Sequence, residues 1–173
     1  MAKYPVCPHC GSKQTTRVEN FYRCSDCRKD FGREPYTDNG EKMTEAVRGL
    51  RFRFGDLISG SVRLRMAEDL DSCLWEVYDT NGGDLDKVAD VMSGEEWQSF
   101  KNTLLHDLYY YDWAKEYIPV NDGREIRGNN EWETAVIVSG NEEYICRGYD
   151  AYPVYWDRFM NLLDPFFNRL QRD

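Results

Sequence analysis

Cys7-Pro8-His9-Cys10-Gly11 and Cys24-Ser25-Asp26-Cys27-Arg28 are two Cys-x2-Cys pairs with thirteen residues between them, and they decide the fold of the N-terminus. Two residues between cysteines let a tight turn aim both thiolates at one ion, and two such turns complete a tetrahedron of sulfurs. Thiolates are soft ligands that select zinc or iron over magnesium or calcium. The spacing predicts one structural Zn²⁺ held by Cys7, Cys10, Cys24 and Cys27 in a zinc ribbon, with a rubredoxin-like iron site sharing the ligand set. Four protein ligands leave no open coordination position, so a catalytic metal is not expected. A redox dithiol is the competing use of such pairs. Gly11 suits a turn with positive φ, and a short hairpin closes the loop between the pairs. His9, inside the first turn, reads as a surface residue rather than a ligand. Residues 1–34 are too few to bury an adequate core, so metal binding should supply much of their folding energy.

Outward from this module, residues 35–46 carry Pro35, Asn39-Gly40 and several charges and read as a linker. Residues 47–173 form the main domain. Leu50, Phe52 and Phe54 alternate with Arg51 and Arg53, and Val62, Leu64 and Met66 alternate with Arg63 and Arg65. That period of two predicts a pair of half-buried strands joined across Gly55–Ser61. Residues 73–78 read as a third strand ended by Asn81-Gly82-Gly83. The period then changes. Ser93 followed by Glu96 is a capping-box signature, and Trp97, Phe100, Leu104, Leu105 and Leu108 recur at helical spacing, ending near Tyr109–Asp112. Residues 132–138 and 144–147 predict a hairpin turned by Ser139-Gly140-Asn141. Pro153 suits a helix start. Trp156, Phe159, Leu162, Leu163, Phe166, Phe167 and Leu170 mark a terminal amphipathic helix that Pro165 should kink or end. The expected class is α+β: a small zinc ribbon followed by an antiparallel sheet packed against two amphipathic helices.

The stretch Cys7-Pro-His-Cys-Gly-Ser12 with Phe21-Tyr-Arg-Cys-Ser-Asp-Cys-Arg-Lys-Asp-Phe31 resembles the zinc ribbons at the N-termini of some bacterial transposases and related regulators. The resemblance implies a structural metal, with contacts to nucleic acid or protein made by the surrounding surface. By position, Lys13, Arg17, Arg23, Arg28 and Lys29 would supply that surface. In the main domain, Asp122-Gly123, Trp132–Val138, Gly148-Tyr-Asp-Ala-Tyr-Pro153 and Trp156-Asp-Arg-Phe159 resemble an uncharacterised bacterial domain spanning roughly residues 48–167, which brings no activity with it.

Charge narrows the function. The chain has 173 residues and a net charge of −9. Residues 1–34 hold seven Lys/Arg against four Asp/Glu, and the remainder holds fifteen against twenty-seven. An acidic body repels a phosphate backbone, whereas a small basic module can approach one. Residues 1–20 have no long apolar run, and no stretch reaches the roughly 18 apolar residues of a membrane span. The chain therefore reads as soluble and cytoplasmic, without a membrane partner.

Catalytic signatures are missing: no phosphate-binding Gly-x4-Gly-Lys-Ser/Thr, no Gly-x-Ser-x-Gly and no His-Glu-x2-His. Asp79-x-Asn81-x-Gly83 fails as a calcium loop because Asp84 and Asp90 stand where glycine and glutamate are needed. Asp84, Asp86 and Asp90 read as a solvated face. His106 reads as a satisfied or solvent-facing helical residue, and Cys73 and Cys146 as small buried side chains. The leading expectation is a zinc-binding, non-enzymatic interaction or adaptor protein with a protein partner. One rival is a DNA- or RNA-binding protein of a mobile element, phage or regulatory system, using the basic side of the ribbon. The other is an enzyme with a site assembled from distant acidic and aromatic residues.

Overall fold

Strand and helix positions follow the change of hydrophobic period along the chain. The computed structural model describes residues 3–56, 60–80, 86–121, 123–125 and 130–171. The N-terminal segment forms a three-stranded antiparallel sheet of β1 (Thr15–Val18), β2 (Phe21–Cys24) and β3 (Asp30–Phe31). The β1–β2 hairpin is the expected closure between the two cysteine pairs, with Thr15 opposite Cys24 and Val18 opposite Phe21. This register sets Arg17, Tyr22, Cys24 and Phe31 on one face, and Thr16, Phe21, Arg23 and Asp30 on the other.

Residues 35–46 fold back on themselves. Thr37 N–H donates to Glu41 O (2.8 Å) and Met43 N–H to Pro35 O (2.9 Å). A single helical turn, α1 (Met43–Ala46), buries Met43, Thr44 and Ala46. Tyr36 stays exposed, so Met43 is the side chain that fixes this segment.

The body is a seven-stranded sheet. β4 (Val47–Asp56), β5 (Gly60–Asp69), β6 (Ser72–Asp79) and β7 (Asp86–Met92) form an antiparallel meander. The short β8 (Glu116–Tyr117) precedes a small ribbon of β9 (Val120–Asn121) and β10 (Arg124–Glu125). β11 (Glu131–Val138) then pairs with β4, β12 (Glu143–Tyr149) pairs with β11, and β8 closes that edge in parallel with β12. The sheet order is therefore β7-β6-β5-β4-β11-β12-β8. Asp86 and Asp90 are exposed, as the solvated face read from the sequence requires, but they also lie on strand β7, which that reading did not include. As an edge strand it has one neighbour, and apart from Met92 and half-buried Val88 its residues are exposed, so no strong alternation marks it. The expected turn at Asn81–Gly83, the middle of the Gly55–Ser61 connection, Asp84 and Asp122 lie outside the described residues.

Helix α2 (Gly94–Asn102) starts where the capping signature places it, with Ser93 Oγ accepting the Glu96 N–H at 3.2 Å. The turn then widens over Thr103–Asp107, Leu108 N–H donating to Thr103 O (3.0 Å), and Tyr109 ends it in the left-handed region at φ 54°. Helix α3 (Trp156–Phe167) begins three residues after Pro153, with Trp156 N–H reaching back to Pro153 O at 3.1 Å. It runs through Pro165 before tightening at Asn168–Gln171. Pro165 and Asn161, whose carbonyl loses its partner, are both exposed, so that carbonyl lies on the solvent side of the helix.

Both helices cover the same sheet face. Phe52 meets Phe159 edge-on at 5.5 Å, Trp75 meets Phe166 at 5.0 Å, and Trp132 lies 4.7 Å from Trp156. Leu50, Leu64, Val77, Val136, Phe159 and Leu163 are fully buried between the layers. Among the described residues, no helix packs on the opposite face. No helix among the described residues is long and apolar enough to cross a membrane.

Gly148 is one place where this packing leaves no room for a side chain. An added Cβ would collide with the Trp132 indole nitrogen and with Ala151 O, which are hydrogen-bonded to each other at 2.8 Å. Gly148→Ala should therefore lower stability by about 2–3 kcal/mol, read as a shift of the urea midpoint; an unchanged midpoint would refute this packing.

Candidate metal centre

The two cysteine turns are built alike. Gly11 N–H donates to Cys7 O (2.9 Å) and Cys7 N–H to Ser12 O (3.0 Å); Arg28 N–H donates to Cys24 O (3.0 Å) and Cys24 N–H to Lys29 O (3.0 Å). In both, the residue four places after the first cysteine takes the left-handed conformation: Gly11 at φ 76° and Arg28 at φ 62°. Glycine accepts this freely, whereas the arginine costs the turn about 1 kcal/mol. The turns are tied together by Ser12 Oγ donating to Asp26 Oδ2 and by Ser25 N–H donating to Gln14 O (2.8 Å).

This arrangement brings all four sulfurs within 4.8 Å of one another. Cys7 Sγ and Cys27 Sγ are 3.7 Å apart, and Cys10 Sγ and Cys24 Sγ 3.5 Å. A tetrahedral site with metal–sulfur bonds of about 2.3 Å needs sulfurs about 3.8 Å apart. The sulfur cluster therefore fits a metal ion, and the donor set fits a soft or borderline one.

The electrostatics point the same way. Burial opposes ionisation of Cys24, but N–H groups of Cys27 and Asp26 and the neighbouring thiols bring it down to about 7. Burial pushes the Cys7 thiol up to about 12, against N–H donation from Cys10 and His9. Backbone donors are thus aimed at sulfurs that burial would otherwise keep protonated, and a divalent cation is the group that lets all four ionise together. His9 is outside the cluster; its Nε2 contacts Asp30 O at 3.2 Å.

The module is docked on the body. Phe31 is buried, stacked on Tyr22 (5.4 Å) and meeting Tyr109 edge-on (5.3 Å). Tyr155 packs against Tyr109 (5.6 Å) and its hydroxyl donates to Val6 O at 2.6 Å. Gly32 N–H donates to Asp112 Oδ2 at 3.0 Å, although burial raises the Asp112 carboxyl above the usual range. Cys7, Cys24 and Phe31 belong to the same apolar cluster as Leu50, Val136 and Phe159.

The five basic residues singled out in the sequence are exposed but do not share one face. Arg17 and Arg23 project from opposite sides of the hairpin by register. Arg23 is held by Asp30 through two bonds of 2.7 and 3.1 Å, and Arg33 reaches the same carboxylate while lying over the Phe21 ring at 3.5 Å. Lys13 follows the first turn, and Arg28 and Lys29 close the second. His106 contacts Thr44 Oγ1 at 3.0 Å and Glu34 at 3.6 Å, as a satisfied helical residue. Cys73 and Cys146 are buried free thiols, raised by burial to about 12 and about 11. Tyr155, Tyr109 and Asp112, which clamp the module, carried no local signal: their partners lie tens of residues away in the chain.

No family model, curated protein or solved structure matches this chain.

Replacing the native ion by Co²⁺ should give the d–d and thiolate charge-transfer bands of a tetrahedral tetrathiolate. Cys24→Ser should abolish the bands and lower the melting temperature, because an uncompensated site remains beside the core. A purified wild-type protein that takes up no Co²⁺ would contradict the site.

Proposed function

We propose that this chain is a non-enzymatic interaction protein, in which a structural zinc ion secures the N-terminal module and a protein partner docks on the uncovered face of the large sheet. Four cysteine ligands suit zinc, whose filled d shell imposes no geometry and carries no redox chemistry. Cys10 is exposed to solvent, a setting that a redox-inert ion tolerates.

The observation that carries the reading is an apolar row set into a charged sheet face. Register aligns Ala67, Leu74 and Val91 on neighbouring strands, followed by Arg65, Glu76 and Ala89, and then Arg63, Tyr78 and Lys87. A cleft of about 500 Å³ runs along the first two rows. Leu74 and Val91 are 45% and 56% exposed. An apolar row flanked by arginines and a tyrosine resembles the composition of protein interfaces.

Arg51 stands directly opposite Arg65, and Arg53 opposite Arg63. Like charges so paired repel, and the sheet's own carboxylates offset them. A phosphate backbone suits this face less well, since Arg51, Arg53 and Arg65 already meet Glu143 (2.6 Å), Glu131 (3.7 Å) and Glu76 (3.8 Å). Those interleaved carboxylates would repel it.

A photo-reactive residue at Leu74 tests this against one at Glu95 on α2. The expected result is a single protein adduct from position 74 only, with the same protein co-purifying in stoichiometric amount and lost on Val91→Asp. Equal labelling at both positions would contradict the reading. So would salt-dependent DNA binding by the intact protein that Arg23→Ala, Arg28→Ala and Lys29→Ala together remove.

A further inference from the structure

A second concave site lies at the other edge of the sheet, between β12 and the turn that follows the widened helix. It is a cleft of about 360 Å³ whose walls include Tyr111, Trp113 and Tyr144. The ring planes stand at steep angles to one another: Tyr111 and Tyr144 at 82° with centroids 5.1 Å apart, Tyr110 and Tyr111 at 89° and 5.9 Å. Trp113 lies against Tyr110 at 5.1 Å. Tyr110 is locked in place by donating to Tyr144 O (2.7 Å) and Thr134 O (3.2 Å), which fixes the inner wall.

Two further observations say what such walls would receive. The Tyr111 hydroxyl is buried and has no hydrogen-bond partner among the described residues. That is an unmet polar group on a wall of an otherwise aromatic cleft. The rim is acidic: Glu142 and Glu143 line the cleft, and Glu143 is held by Arg51 at 2.6 Å, leaving Glu142 as the carboxylate facing it. Burial raises the Tyr144 hydroxyl, and the charges of Glu142 and Asp38 raise it further. Tyr111 is raised by burial, then by Tyr144 and Glu142. Lys115, exposed on a flexible stem, is the opposing charge among the lining residues.

We propose that this cleft binds an organic ammonium group, methylated or quaternary, carried by a small molecule or by a lysine side chain. Aromatic faces attract a cation through their quadrupoles, and methyl groups on nitrogen pack against the walls of the cleft without the hydration that a bare ammonium keeps. An anion would meet Glu142. A neutral apolar guest would draw nothing from the ring quadrupoles or from the carboxylate rim. The site is separate from the Leu74–Val91 row, so Val91→Asp leaves ammonium binding intact, and the two readings fail independently.

The test is an NMR titration of the full, metal-loaded chain, with Trp113 indole fluorescence as a second readout. Choline is compared with 3,3-dimethylbutanol, its uncharged isostere, and a trimethyllysine peptide with the same peptide unmodified. Choline should give saturable shifts at Tyr111, Trp113 and Tyr144 and bind at least about tenfold more tightly than the isostere. Exposed Glu142→Gln should weaken choline binding about fivefold and Lys115→Ala should tighten it about twofold, both without unfolding the chain. A trimethyllysine peptide that outcompetes choline and its own unmodified form identifies a lysine side chain as the source; the reverse order identifies a small molecule. Equal binding of choline and the isostere, or no saturation by about 30 mM choline, or affinity unchanged by Glu142→Gln, would overturn the proposal.

Discussion

Four cysteine sulfurs held within 4.8 Å of one another are an unstable arrangement unless something binds them together. As neutral thiols they offer one another only weak hydrogen bonds. As thiolates they repel across distances as short as 3.5 Å. A metal ion at the centre would turn that repulsion into four bonds. The backbone is already arranged for it, with matched turns, two left-handed residues and N–H groups directed at the buried sulfurs. The hairpin between the turns is only four residues per strand, too little to hold this geometry alone.

What a bound ion would fix does not end at the module. Phe31 sits between Tyr22 and Tyr109, and Tyr155 joins the start of α3 to the backbone just before Cys7. The cysteine turns therefore share a core with the body. The ribbon docks on the helical side, through Tyr109, Asp112 and Tyr155, and leaves the other sheet face open. That division of labour underlies the proposed function: one side of the sheet is spent on stability and the other is available to a partner.

Much of this was legible in the chain, because it rests on local regularities. Cysteine spacing encodes the sulfur cluster. Alternation of Leu50, Phe52 and Phe54 with arginines encodes β4, and Ser93 with Glu96 encodes the start of α2. Other features escaped. Edge strand β7 is exposed almost throughout, so burial imposes little pattern on it. Helix α3 starts at Trp156 and continues past Pro165 to Phe167, on a face where the unpaired Asn161 carbonyl is open to solvent. The clamp of Phe31, Tyr109 and Tyr155, and the aromatic cleft of Tyr111, Trp113 and Tyr144, join residues far apart in sequence, and only tertiary packing brings them together. The open sheet face was visible as alternating arginines but not as a surface, since the pattern cannot say which face the helices will cover.

Hydrogen exchange with and without the metal tests the central claim most directly. With the ion removed by a chelator, amides of residues 7–31 should lose protection. The loss should spread across the interface to the Gly32 amide, which donates to Asp112, and to the amides of Asp112 and Trp113 in the turn behind Tyr109. Unchanged protection of the cysteine turns after complete metal removal would contradict the account.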